Sequence, residues 1–191
     1  MEWILASASP RRKQLLAELI EQFEIIPARG EERADITLPP ERLVQALAAQ
    51  KAEEVAALPK AQGKAVLGSD TVVALDGEVL GKPRDEEDAA RMLRALSGRT
   101  HEVFTGVCII YPKGGDVLKV TAVACTKVRF LTLTEEKIAA YVATGSPMDK
   151  AGAYGIQDGD LVEEIDGSFS NVVGLPLELC KELIDRIEKG E

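Results

Sequence analysis

Apolar positions fall into short runs of strand length separated by stretches with helical spacing. Residues 3–6 form one apolar run, and residues 23–26 a second; both predict strands. Between them Ser7, Ser9 and Pro10 turn the chain into a helix over about 11–21, with Pro10 at a favoured first-turn position. A second helix is predicted over 40–58 from the stripe Val44, Leu47, Ala48, Val55 and Leu58. Lys51 falls in the middle of that stripe, where the pattern calls for an apolar residue. Residues 64–75 predict a strand closed by an Asp76-Gly77 hairpin turn. A helix follows over 85–96, and its four acids at 85–88 suit the positive helix N-terminus. Residues 102–111 and 117–131 read as long strands joined at Gly114-Gly115. In the second, Val120, Ala122, Ala124, Val128 and Phe130 share one face. Helices over about 134–143 and 176–188 complete the pattern.

Long hairpins mixed with helices point to an α/β fold whose sheet is mixed and partly antiparallel, flanked by helices, rather than a regular βαβ array. No repeat or low-complexity segment divides the chain, so residues 1–191 are expected to form one domain. The composition, 46% hydrophobic and 29% charged, is that of a globular protein. No apolar run reaches bilayer length and no leader pattern opens the chain, so no membrane partner is expected. Three widely spaced cysteines, Cys108, Cys125 and Cys180, read as reduced core thiols of a cytoplasmic protein. A single histidine disfavours zinc sites and Ser-His triads. Formal charge is 23 − 32 = −9 and aromatics are only 4%, which disfavours nucleic acid as a partner. A local gathering of cations could still hold one small anion.

Several residues break the local pattern. Ser7, Ser9, Arg11 and Arg12 stand where a strand turns into a helix, a junction suited to anions; the alternative is a capping serine followed by solvated arginines. Asp70 and Thr71 interrupt an apolar strand. A buried carboxylate there needs a cation, a metal or a role in chemistry, unless it caps the strand's exposed end. Gly77 to Pro83 resembles a phosphate-binding P-loop only superficially, since the glycine spacing is short and Pro83 replaces the magnesium-binding hydroxyl; what remains is Lys82 on a stiff turn. Lys51 either snorkels to water or points its ammonium into a cleft. Glu31, Glu32 and Asp35 are either oxygen donors for Mg²⁺ or Mn²⁺ or ordinary surface acids. His101 reads as a structural hydrogen-bonding residue. A polyphosphate ester with a divalent cation would engage Arg11, Arg12, Lys51, Lys82 and Asp70 together.

Five segments resemble the Maf family of nucleotide pyrophosphatases (the septum-formation inhibitor family): LASASPRR at 5–12, GSDTVVALDGEVLGKP at 68–83, SGRTHEVFTGV at 97–107, DKAGAYGIQ at 149–157 and GSFSNVVGLPL at 167–177. The resemblance implies a fold like that of inosine-triphosphate pyrophosphatases, with a cleft between two lobes. It further implies a homodimer, a divalent metal cofactor, and hydrolysis of a nucleoside triphosphate between its α- and β-phosphates. DKAGAYGIQ is similar to the branch acting on dTTP, UTP and modified pyrimidine triphosphates. Position by position, Asp70 matches the proposed general base and, with Glu32, a metal ligand. Ser7, Ser9, Arg11, Arg12, Lys51 and Lys82 match the substrate cleft, and Arg11, Thr71 and Gln157 match positions linked to base selectivity. Asp158-Gly159-Asp160 departs from the family pattern by adding negative charge beside Gln157. Two rivals stand beside this reading: a non-catalytic nucleotide-binding regulator of septum formation, and a pyrophosphatase for purine triphosphates such as ITP.

Overall fold

In the computed structural model, which describes residues 1–31 and 33–190, one mixed sheet holds all seven strands. They are β1 (Trp3–Leu5), β2 (Glu24–Ile25), β3 (Ala65–Leu75), β4 (Glu78–Leu80), β5 (Thr100–Lys113), β6 (Asp116–Phe130) and β7 (Val162–Asp166). The order is β2-β1-β3-β5-β6-β7, with β4 also paired to β3. β1 runs parallel to β2 and β3, and every other pairing is antiparallel. β3 is buried along almost its whole length, so helices must cover both of its faces.

One face is covered by α2 (Pro40–Ala56), which packs Ala48, Ala52 and Val55 against Val66, Cys108 and Ile110. The other is covered by α1 (Pro10–Leu16) and α6 (Leu177–Lys189), whose Leu16, Leu183 and Ile187 meet Leu67, Val107 and Ile109. Farther along, α3 (Glu86–Leu96) and α4 (Glu135–Ala143) bury Leu93, Leu96 and Ile138 against Val73, Val128 and Phe130. A short helix, α5 (Phe169–Val173), sits between β7 and α6.

The expected mixed α/β architecture is the one observed, with some local differences. α1 ends at Leu16 rather than near residue 21, because the Glu18 and Leu19 amides bond three residues back, a tightening common at helix ends. β7 and α5 had no counterpart in the pattern. β7 is a partly exposed edge strand rich in acids, and α5 has only five residues. Cys108 and Cys180 are core thiols as expected, but Cys125 is exposed; it lies one residue out of phase with the inward positions Ala124 and Thr126. Among the described residues no helix is long and apolar enough to cross a membrane.

Candidate active site

β1 pairs with β3 only as far as Leu67, beyond which the Ala6 amide donates to the Leu67 carbonyl (2.8 Å). β4 joins the same edge from Val73. Among the described residues, 68–72 have no strand partner on that edge, whereas the opposite edge is paired with β5 throughout. This gap lies just past the carboxyl end of β1, where open α/β sheets bind ligands. Side chains alternate across β3, so Asp70 faces α2 while Ser69 and Thr71 face the opposite layer.

The α2 face is built by close approach. Gly68 precedes Asp70 by two residues, and Gly106 stands opposite it on β5. A Cβ at Gly68 would lie 2.4 Å from the Ala48 carbonyl oxygen, and one at Gly106 would lie 2.3 Å from that of Val44. Only glycine lets the helix backbone lie this close to the sheet. That approach brings Lys51 to Asp70, and the Lys51 ammonium donates to Asp70 Oδ1. The exposures of the two side chains are 21% and 11%, so the pair is largely withdrawn from bulk water. The lysine that breaks the apolar stripe therefore answers the acid that breaks the apolar strand, and each offsets the other's buried charge. Arg29, Gly30 and Glu31 lie against the same helix: Glu54 accepts from the Arg29 amide (2.6 Å), and Gln50 donates to the Glu31 carbonyl. Asp35 is instead an exposed turn residue, accepting from Thr37 N (2.9 Å) and Oγ1 (2.7 Å), and those bonds hold its carboxyl below the usual range. Glu32 lies outside the described residues.

The opposite face is built from hydroxyls. Ser9 caps α1 by accepting from the Arg12 amide, while the Ser9 amide donates to Ser7 Oγ (3.2 Å). The Arg12 guanidinium donates through Nε to the Gly174 carbonyl (2.8 Å) and through Nη2 to Thr71 Oγ1 (3.0 Å). Ser69 Oγ donates to the same Gly174 carbonyl. Thr71 Oγ1 meets Thr105 Oγ1 across the strand pair at 2.9 Å, and Thr105 Oγ1 donates to the Asn171 carbonyl (3.0 Å).

Residues 146–158 close the far side. Gly152, at φ +69°, donates its amide to the Gly81 carbonyl (3.0 Å) and has no room for a Cβ beside Val73. This places the segment next to Lys82, which is exposed. Arg11 lies 3.9 Å from Asp149. A hydrogen bond from Lys150 holds the Asp149 carboxyl below its ordinary value, with Arg11 adding to the effect. Gln157 is exposed. The acid beside it, Asp158, accepts from Tyr141 (2.9 Å) and Ser146 and lies 3.5 Å from the Lys150 ammonium. Burial pushes the Asp158 carboxyl up, but those donors outweigh it and leave it lowered. Of the two acids by which the chain departs from the family pattern, Asp158 is thus answered by Lys150.

The structure brings Asp70 with Lys51, Arg12 with Thr71, and Arg11 with the 149–157 segment, all around one strand edge. It assigns His101 elsewhere. That ring is buried against Phe130 and Tyr154, with Nε2 2.7 Å from the Tyr154 hydroxyl, and burial lowers its pKa to about 4. Thr105, Asn171 and Lys150 were not singled out in the sequence. For Thr105 the available signal was a polar residue at a strand position in register with Thr71; Asn171 and Lys150 lie off the strands and left no such signal.

Comparison with known proteins gives the family. The Maf-like protein family profile matches residues 2–187. A protein from Thermococcus gammatolerans named dTTP/UTP pyrophosphatase is 49% identical over 182 residues, covering 94% of each chain. One of the same name from Moorella thermoacetica is 51% identical over 184 residues, covering 95% of this chain and 92% of that one. The solved structure of the Staphylococcus aureus Ham1 protein superposes with a TM-score of 0.53 at 15% identity, covering 97% and 98% of the two chains, a likeness of fold. A profile match over nearly the whole length, together with relatives near half identity, means that the chain belongs to the Maf family.

Proposed function

We propose that this chain hydrolyses dTTP and UTP, and modified pyrimidine triphosphates, to the nucleoside monophosphate and pyrophosphate. The names carried by relatives near 50% identity support the reaction. The observation that carries the site is the buried, lysine-paired Asp70 at the open edge of β3, with the Arg12 guanidinium anchored on the other side of that strand.

Water attacks the α-phosphorus in line with the leaving pyrophosphate, and Asp70 accepts its proton or orients it. Lys51 keeps the carboxylate in place. Arg11, Arg12 and Lys82 stabilise charge on the phosphate oxygens, with Ser7 and Ser9 lining the anion site at the start of α1. Arg11 and Gln157 would read the base, and Thr71 holds Arg12. Among the described residues no three His, Cys, Asp or Glu side chains gather into a metal site. One carboxylate from Asp70 nonetheless fits Mg²⁺ or Mn²⁺, which take one or two carboxylates and fill their shells with phosphate oxygens and water. Bound there, a divalent cation would supply neutralisation of phosphate charge. Glu32 is the second donor that the family resemblance implies. That resemblance also carries the homodimer, whereas the cytoplasmic setting rests on reading the cysteines as reduced thiols.

The test is product analysis with UTP, dTTP, CTP, GTP and ITP, each with Mg²⁺ or Mn²⁺, beside Asp70→Asn. UMP or TMP with pyrophosphate, lost in the variant, is expected. Diphosphate with orthophosphate would refute cleavage between the α- and β-phosphates. Tight binding without turnover would favour the nucleotide-binding regulator, and a preference for ITP the purine enzyme.

A further inference from the structure

Two anchors of the Arg12 guanidinium lead back to one buried residue. The first runs through hydroxyls. Thr105 gives its only hydroxyl hydrogen to the Asn171 carbonyl, so at the Thr71–Thr105 contact Thr71 must be the donor. Thr71 then has only lone pairs to offer, and Arg12 Nη2 donates to one of them. The order Arg12 to Thr71 to Thr105 to Asn171 therefore has a single direction. The second anchor is the Gly174 carbonyl, just past the end of α5. Gly174 closes that helix by donating its amide to the Ser170 and Asn171 carbonyls, at φ +128°, a conformation that favours glycine.

Asn171 fixes α5 in turn. It is fully buried, and its side-chain amide donates one hydrogen to the Val103 carbonyl (3.0 Å) and the other to Thr126 Oγ1 (2.9 Å). Reversing the amide would set an oxygen against the Val103 carbonyl, so its orientation is determined by its partners. Among the described residues its amide oxygen has no partner, a cost accepted where both donors are committed.

We propose that Thr105 and Asn171 are positioning residues that hold the plane of the Arg12 guanidinium, and that Thr71 influences the reaction through Arg12 rather than by touching the nucleotide. The inference rests on the proposed function for its kinetic consequence but not for its geometric one. A guanidinium matches phosphate oxygens only in a defined plane, so tilting it loses transition-state stabilisation while the charge remains.

The closing experiment compares Thr105→Val, which keeps shape and removes only the hydroxyl, with Thr105→Ser, which restores it. With UTP, Thr105→Val is expected to lose about ten- to a hundredfold in kcat with a smaller change in KM, and Thr105→Ser to recover most of it. In an Arg12→Lys background Thr105→Val should cause little further loss, because an ammonium has no plane to hold. An equal loss in both backgrounds, or unchanged kcat in Thr105→Val, would overturn the proposal. A second arm needs no turnover: the Arg12 guanidinium N–H signals, assigned by their absence in Arg12→Lys, should exchange faster with water in Thr105→Val than in wild type or Thr105→Ser. Unchanged exchange rates overturn the positioning role. Faster exchange in a chain whose wild type releases no pyrophosphate upholds the role and removes the proposed reaction.

Discussion

The two faces of β3 solve the same problem by opposite means. On the α2 face, two glycines let a helix backbone close on the sheet, and a charge pair, Lys51 with Asp70, lies at the point of closest approach. On the other face Arg12 donates to the Thr71 hydroxyl and the Gly174 carbonyl, and Thr71 is backed in turn by Thr105 and the Asn171 carbonyl. The first arrangement places a charge; the second orients one. A carboxylate working on a water molecule needs a position, whereas a planar guanidinium facing a phosphate needs a tilt as well. The difference follows from the side chains themselves.

The sharpest way to break this division of labour is to neutralise the placed charge. Asp70→Asn keeps shape and is expected to reduce pyrophosphate release by about a thousandfold, read from steady-state kinetics, because a general base contributes on the order of 10²–10⁴. A variant within tenfold of wild type would remove Asp70 from the chemistry.

Acid should strike the other face first, through His101, which shares the inward side of β5 with Thr105. The folded histidine titrates near pH 4, whereas the unfolded one titrates near its ordinary 6.5. The unfolded chain therefore binds the extra proton between those values. Stability is full above pH 6.5 and falls by on the order of 3 kcal/mol as pH drops towards 4. Urea unfolding across that window should show the loss in wild type and a flatter profile in His101→Phe.

Gly106→Ala sharpens the comparison from the α2 side. Its Cβ would meet the Val44 carbonyl, so the helix must lift, at a cost of about 1–3 kcal/mol in unfolding free energy. Turnover should fall along with stability, since Lys51 moves with the helix. An alanine variant of wild-type stability would mean that the close contact is easily relieved.

The smallest expected effect is the stability coupling of Lys51 and Asp70. In a cycle of Lys51→Met, Asp70→Asn and the double variant, the coupling should be only about 1 kcal/mol, because both side chains retain some contact with solvent. Lys51→Met fits the apolar stripe and should fold, with its loss appearing in turnover.

Much of this was legible in the pattern. β3, α2 and α3 follow from apolar periodicity, and Lys51 and Asp70 stood out because each violates the period around it. That they violate it for each other was not legible, since it depends on a register that two glycines permit. The hydroxyl chain was less visible still. Thr105 and Thr71 are ordinary residues for a β-strand, and only antiparallel pairing sets them opposite each other. Asn171, the sole asparagine, lies in a helix too short to leave a periodic trace. The exposed Cys125 is the reverse case, a residue type typical of cores that one step of strand phase turns outward.

The glycine contacts also bear on how this protein can change over generations. The atoms facing Gly68 and Gly106 belong chiefly to the backbone of α2. No exchange of a neighbouring side chain for a smaller one could make room for a methyl group at either position. Lesions at these two codons should therefore resist rescue by second-site changes that merely trim a facing side chain. Revertants selected for restored activity should carry glycine again.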